Sequence, residues 1–149
     1  MELAIESARL AYELGDVPVG AVLVDAQGSV VTSAYNKKEA LNDPTAHAEL
    51  LAISEGTQLC GSWRLTDCVL YVTKEPCVMC AGAILGARIK RLVYGCKDPK
   101  GGAVESLYNL LSDARLNHQV AVTSGVRLEE CALLLREFFV ELRRGCRVV

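Results

Sequence analysis

The sequence predicts an α/β protein, a three-layer α/β/α sandwich around a five-stranded mixed sheet. Three observations support this class. Apolar residues recur at helical spacing in segments that alternate with short runs rich in Val, Leu and Tyr. The first two strand-like runs are separated only by a tight turn, which predicts an antiparallel hairpin. The later strands are separated by helical segments, which is typical of parallel pairing.

In the N-terminal half, glycine and threonine indicate where helices begin and end. Gly15 follows the first apolar repeat, Thr45 could cap the second helix, and Gly56 could end it. The predicted elements are a helix at 2–14, strands at 17–25 and 29–36, a polar loop at 37–45 and a helix at 46–56.

The C-terminal half begins with a dense β-branched run that predicts a buried strand, and Pro76 is suited to the first position of the helix after it. The predicted elements are a strand at 68–73, a helix at 76–87, a strand at 90–96, a loop at 98–102, a short helix at 106–113, a strand at 118–125 and a helix at 128–144. No linker or repeat interrupts this pattern, so we expect a single domain spanning 1–149.

Composition narrows the functional classes. The net charge of −2 provides no overall attraction to nucleic acid, so any RNA-binding surface must be a local basic patch. No stretch approaches the roughly 18 continuous apolar residues of a membrane span, so no membrane partner is expected. The first residues carry acidic side chains and lack the apolar run of a secretory signal. Together with seven cysteines, an odd number, this predicts a cytoplasmic protein whose thiols are free or bind metal.

Residues 75–80 read EPCVMC, and the pair Cys77 and Cys80 has three interpretations. A redox pair at the start of a helix is one, but it leaves His47 and Glu49 without a role. A closed structural zinc site is the second, and it needs a fourth ligand from the remaining cysteines or His118. The remaining cysteines are otherwise expected to be small apolar side chains, buried or harmless, and His118 a strand-edge residue with a backbone partner.

The third interpretation is a catalytic zinc site with three protein ligands and one position open to water. At a spacing of three residues, Cys77 and Cys80 lie on one face of a helix, and its first turn favours thiolates. His47 would complete the ligand set from the first turn of its own helix. Sulfur and imidazole ligands in a tetrahedral arrangement suit zinc.

Glu49 is the candidate general base of this third interpretation. Two thiolates balance the charge of the metal, which weakens its effect on the pKa of a water molecule, so a nearby base is needed. Glu49 lies two residues after His47 and can reach over the site without binding the metal. Considered alone, it would be a solvated carboxylate on a helix.

Several segments together resemble the zinc-dependent nucleoside and nucleobase deaminases, and within them the bacterial enzymes that deaminate adenosine in tRNA. The segments are VPVGAVLV, NDPTAHAE, LYVTKEPCVMCAGAI, GGAVESLYNLL, LNHQV and ECALLLREFF. The family's general signature is a histidine and a glutamate two residues later, followed by a proline and two cysteines. The resemblance extends over nearly the whole chain and implies a cytidine-deaminase-like fold.

The resemblance implies hydrolytic deamination of the wobble adenosine of a tRNA anticodon loop to inosine, with one Zn²⁺ per subunit. Glu49 would take a proton from the attacking water and return protons to the ring nitrogen and the departing amine. The resemblance also implies substrate-binding positions. They are Asn36, which would bind the extruded base, Val19, which would form an apolar wall, the backbone of Ala48 and Pro76, and Asp98 and Lys100, which would contact sugar and phosphate.

The resemblance further implies a homodimer that binds the tRNA anticodon stem-loop near the subunit boundary. Phe138 or Phe139 could stack on a splayed base, and the other would belong to the core. Arg143, Arg144 and Arg147 form a basic cluster that could contact phosphates.

Two alternatives remain open from the sequence. The first is a deaminase of a free nucleobase or nucleoside, such as guanine or cytosine, on the same scaffold, because the zinc signature does not separate these substrates. The second is a zinc-stabilised binding module without catalysis, which has no use for the carboxylate of Glu49.

Overall fold

A computed structural model describes residues 1–145, and five strands within it form one sheet in the order β2-β1-β3-β4-β5. The strands are β1 (Gly20–Val24), β2 (Val30–Tyr35), β3 (Val69–Lys74), β4 (Arg91–Cys96) and β5 (Ala121–Thr123). β1 is antiparallel to both β2 and β3, whereas β3, β4 and β5 pair in parallel. The predicted five-stranded mixed sheet is therefore confirmed.

Helices cover both faces of this sheet. They are α1 (Glu2–Glu13), α2 (Lys38–Leu41), α3 (Ala48–Leu59), α4 (Val78–Gly86) and α5 (Leu128–Arg143). α1 and α5 contact each other and the sheet on one side, and α3 and α4 contact each other on the opposite side. This is the predicted three-layer sandwich. None of the helices in the described part of the chain is long and apolar enough to cross a membrane.

The main core lies between the sheet and the layer of α3 and α4, where Leu23, Leu70 and Ile84 are fully buried. On the other face, α1 packs closely on β1 through small residues. A side chain at Gly20 would collide with the backbone of Ala4, so this glycine permits the close approach. Leu14, the last residue of the helix predicted at 2–14, lies after the end of α1 and is 63% exposed.

The predicted end of the second helix was wrong. α3 continues past Gly56 to Leu59 because Gly56 is a packing glycine, at which any side chain would collide with Leu23. Thr45 does not cap this helix, since its hydroxyl donates to Asp43. The predicted loop 37–45 also contains the short helix α2.

The prediction of a helix at 106–113 was also wrong, and only Leu110–Ser112 form a 3₁₀ helix. The reason is tertiary, because the backbone N–H of Ser106 donates to a distant carboxylate, that of Glu75. The C-terminal helix is confirmed as α5, with Cys131 and Phe138 buried. The single-domain prediction stays a prediction, since it includes residues 146–149, which lie outside the described residues.

Candidate metal centre

The starts of α3 and α4 place three potential ligands together. His47 is the residue before α3, Cys77 is the residue before α4, and Cys80 lies in the first turn of α4. Both His47 and Cys77 have extended backbone, and neither uses its side chain to cap its helix. Pro76 precedes the helix by two residues, so its predicted place at the first helical position was wrong.

The three ligand atoms have the separations that a small tetrahedral ion requires. His47 Nδ1 lies 3.7 Å from Cys77 Sγ and 3.5 Å from Cys80 Sγ, and all three ligand atoms lie within 4.8 Å of one another. Ligands at ordinary zinc distances in a tetrahedron are ~3.6 Å apart. The donor set of one imidazole and two sulfurs therefore fits zinc in both geometry and chemistry.

The contacts among the three candidate ligands shift their pKa values in different directions. The contacts of Cys77 with Cys80 and with His47 lower the pKa of Cys77 to about 3. Conversely, the contact with Cys77 and burial raise the pKa of Cys80. The contact with Cys77 also raises the pKa of His47. Because zinc binds thiolates, metal binding is linked to the loss of any proton that these two thiols carry.

Glu49 lies beside these ligands in the first turn of α3 and is 4% exposed. Its Oε2 atom is buried and has no hydrogen-bond partner among the residues that the structure describes. Burial raises the pKa of Glu49. An orphaned buried carboxylate oxygen is costly for stability, so it indicates a group kept for chemistry.

A cavity of about 200 Å³ opens onto this site, and five of the predicted site residues line it. They are Val19, Asn36, His47, Glu49 and Cys77. The Asn36 side-chain oxygen accepts the N–H of Ala48 at 2.9 Å, which orients the amide. The carbonyl of Pro76 accepts the N–H of Ala103 at 2.9 Å. The backbone groups of Ala48 and Pro76 named here are therefore already hydrogen-bonded within the protein.

A second cavity of about 740 Å³ contains four of the residues predicted to contact RNA, and we call it the basic cavity. Its described lining is Lys74, Lys97, Asp98, Lys100, Gly101, Leu135, Arg136, Phe139, Val140 and Arg143. Phe138 is core and Phe139 is 40% exposed, so the two phenylalanines divide as expected. Of the predicted basic cluster, Arg143 lines the basic cavity, and Arg147 lies outside the described residues.

Sequence reasoning missed Glu75, which is 2% exposed and accepts hydrogen bonds from the segment after β4. The donors are the N–H groups of Asp98 (2.9 Å), Val104 (3.1 Å), Glu105 (2.8 Å) and Ser106 (2.9 Å), and the Ser106 hydroxyl. Although burial opposes ionisation, these bonds lower the pKa of Glu75 to about 2. Glu75 thereby fixes the loop of Asp98 and Lys100 to the turn that carries Cys77.

Three of the other cysteines and His118 behave as structural residues, whereas Cys60 is exposed and Cys146 lies outside the described residues. Cys68, Cys96 and Cys131 are buried away from the candidate metal centre, and His118 Nε2 lies 2.9 Å from the carbonyl of Ile89. Among the described residues, the candidate metal site consists of three ligands, His47, Cys77 and Cys80. These residues therefore do not support a closed structural site, which needs four protein ligands.

Comparison with known families agrees with this geometry. Residues 1–96 match the cytidine and deoxycytidylate deaminase zinc-binding region, a span that contains the three candidate ligands and Glu49. The chain therefore belongs to the cytidine and deoxycytidylate deaminase family.

Individual relatives show which members of this family the chain is similar to. The chain is 49% identical to the tRNA-specific adenosine deaminase of Bacillus subtilis, covering 97% of this chain and 89% of the relative. A structure solved in a study of A-to-I editing by tRNA:A34 deaminases superposes with a TM-score of 0.87 at 49% identity, covering 91% and 97% of the two chains. A guanine deaminase from Nitrosomonas europaea shares the fold, with a TM-score of 0.82 at 22% identity over 93% and 82%.

Proposed function

We propose that this protein hydrolyses the exocyclic amine of the wobble adenosine in a tRNA anticodon loop, forming inosine and ammonia. The observation that carries the proposal is the orphaned carboxylate of Glu49 beside a three-ligand set of His47, Cys77 and Cys80. A purely structural metal site has no use for such a group. The substrate is inferred from relatives named as tRNA-specific adenosine deaminases.

His47, Cys77 and Cys80 would hold one zinc ion per subunit, which would supply Lewis-acid activation of a water molecule. With that ion bound, Glu49 would take the first proton of the water that attacks C6 of the adenine and pass it to the ring nitrogen. It would then take the second proton, from the hydroxyl added at C6, and pass it to the amine that leaves as ammonia, so the same group acts as base and as acid. The buried position of Glu49 suits both steps, because burial raises its pKa.

The base would be held by the two other cavity residues that the resemblance indicated. Val19 is 5% exposed and supplies an apolar wall, and Asn36 supplies an amide whose orientation is fixed by the N–H of Ala48. A base must leave its stack to enter a cavity of this kind, which is easier from an anticodon loop than from a duplex.

The basic cavity would bind the loop around the reacting nucleotide. Asp98 and Lys100 are proposed contacts to sugar and phosphate, and exposed Phe139 offers a stacking surface. Their positions are supported by the Glu75 hydrogen bonds, which fix this loop against the metal-binding turn.

We further propose a homodimer that works in the cytoplasm, where tRNA is available. Large apolar side chains are exposed on α3 and α4, in the segment after α3 and in the loop after β4, as a buried interface requires. They are Leu59, Trp63, Val78, Leu107 and Tyr108. Light scattering of the purified protein tests the dimer, and a monomer mass at micromolar concentration would contradict it.

A substrate panel tests the activity. The zinc-loaded protein is offered an anticodon stem-loop with adenosine at the wobble position and, separately, free adenosine, guanine and cytosine. Inosine formed only in the stem-loop supports the proposal. Ammonia released only from a free base would favour the alternative of a nucleobase deaminase.

A further inference from the structure

Lys74 lies between the two cavities described above. Together with Phe139 it lines both the cavity of the candidate metal centre and the basic cavity. A ligand that occupies both cavities therefore passes the ammonium group of Lys74. The sequence offered no role for this lysine, because it is the last residue of a strand that is otherwise apolar or neutral.

The lining of the basic cavity favours an anionic ligand. Its described lining contains five cationic side chains, namely Lys74, Lys97, Lys100, Arg136 and Arg143, and one acidic side chain, that of Asp98. Lys97 Nζ lies 3.5 Å from Glu105 Oε2, but this ion pair is exposed and therefore weak. Most of the positive charge of the lining is thus available to a ligand in the cavity. A phosphodiester backbone is the ligand class that matches such a surface.

The Lys74 ammonium is already held in place. Its Nζ lies 2.7 Å from Asp98 Oδ2, and the two side chains are only 29% and 15% exposed. Asp98 is fixed in turn, since its Oδ1 accepts the N–H of Lys100 at 3.1 Å and its own N–H donates to Glu75. An ammonium has three donors and this contact uses one, so the others are available to a ligand at little further cost in side-chain entropy.

We propose that Lys74 binds the phosphate next to the reacting nucleotide, and that Asp98 is the positioning residue that holds its ammonium there. This inference rests on the proposed function and deepens it. A free nucleobase has no phosphate, so Lys74 would favour a polynucleotide over a free base. A carboxylate has further acceptor capacity, so Asp98 can hold Lys74 and still accept a bond from a sugar hydroxyl.

Salt dependence of binding provides the test, because each phosphate contact contributes to it separately. An anticodon stem-loop is titrated by fluorescence anisotropy against zinc-loaded protein carrying Glu49→Gln, which prevents turnover, at 50 to 300 mM KCl. Added to this background, Lys74→Met should weaken binding at 100 mM KCl about tenfold. It should also reduce the slope of log K against log salt by about 0.7, the value of one phosphate on a single strand.

Three control variants separate this contact from other effects. Lys74→Arg keeps the charge and should keep the slope. Lys90→Met removes an exposed lysine that lines neither cavity and should leave the slope unchanged. The double change Lys74→Met with Asp98→Asn also removes the carboxylate that Lys74→Met leaves unpaired. It should lose the same slope as Lys74→Met alone, because the lost slope comes from the missing phosphate contact and not from repulsion by that carboxylate.

The outcomes are distinguishable. A wild-type slope for Lys74→Met, or a restored slope for the double variant, overturns the proposed contact while the deaminase function stands. If no variant binds the stem-loop, including the Glu49→Gln background, both the substrate assignment and this inference are wrong. Thermal melting and zinc content confirm that each variant is folded.

Discussion

Glu49 and Glu75 are two carboxylates with nearly equal burial, 4% and 2% exposed, and opposite surroundings. Glu75 accepts bonds from four backbone N–H groups and a hydroxyl, and its pKa falls to about 2. Glu49 has an oxygen without a partner in the described structure, and burial raises its pKa. The difference shows that burial alone does not set the pKa of a carboxylate, because the number of hydrogen-bond donors around it also matters.

The contrast indicates different roles for Glu49 and Glu75. A carboxylate surrounded by donors loses them if it takes up a proton, so Glu75 is suited to hold a loop. A carboxylate with an orphaned oxygen is suited to exchange protons with a bound molecule.

The largest effect is expected from removal of a ligand of the candidate metal centre. Cys80→Ala should bind almost no zinc and lose all activity, and its free energy of unfolding should fall by several kcal/mol because metal binding is linked to folding. Metal analysis and urea denaturation measure these changes. The matched control is Cys68→Ala, a buried cysteine outside the site. Full zinc occupancy in Cys80→Ala would show that the ligands are others.

Glu49→Gln should lower the rate of inosine formation by about 10³- to 10⁴-fold, the range of general acid–base catalysis. Zinc content should be unchanged, and the free energy of unfolding should not fall, since the change removes a poorly hydrogen-bonded buried charge. Glu55→Gln on the same helix is the control and should keep its activity. A Glu49→Gln enzyme within tenfold of the wild-type rate would remove this carboxylate from the mechanism.

Glu75→Gln should show the reverse pattern, a loss of stability with zinc retained. The amide of glutamine would place an NH₂ group against backbone N–H donors that now bond to the Glu75 carboxylate. Losing these hydrogen bonds should lower the free energy of unfolding by about 3 kcal/mol at pH 7. Denaturation by urea at constant zinc concentration measures it. If Glu75→Gln were as stable as wild type, the hydrogen bonds of this carboxylate would not support the loop.

Residues related by local spacing were the part of the site that the sequence could predict. Cys77 and Cys80 are three residues apart at a helix start, and Glu49 is two residues from His47, so the roles proposed for them follow from helix geometry and ligand chemistry. The ion pair of Lys74 with Asp98 joins residues 24 positions apart, a relation that depends on the pairing of β3 with β4.

The errors in the predicted helices also come from contacts between residues that are distant in the sequence. The segment 106–113 has a helical apolar pattern, but Ser106 at its start donates its N–H and its hydroxyl to Glu75, about thirty residues earlier in the chain. Gly56 was predicted to end a helix because glycine often does so. Its actual role is to pack against Leu23, which lies on β1, and local spacing in the sequence does not reveal that contact. In each case tertiary contacts overrode a local preference.

The smallest expected effect is the pH dependence of the Glu75 contribution. A carboxylate with a folded-state pKa of about 2 and an ordinary unfolded value stabilises the protein fully above pH ~4.5, and this stabilisation is lost as the pH falls toward 2. The difference in unfolding free energy between wild type and Glu75→Gln should therefore shrink by up to ~1.4 kcal/mol per pH unit below that point. Because both proteins carry the same metal ligands, loss of zinc in acid affects both and largely cancels in the difference. A difference that stays constant from pH 7 to pH 3 would mean that Glu75 stabilises the loop by its shape and not by its charge.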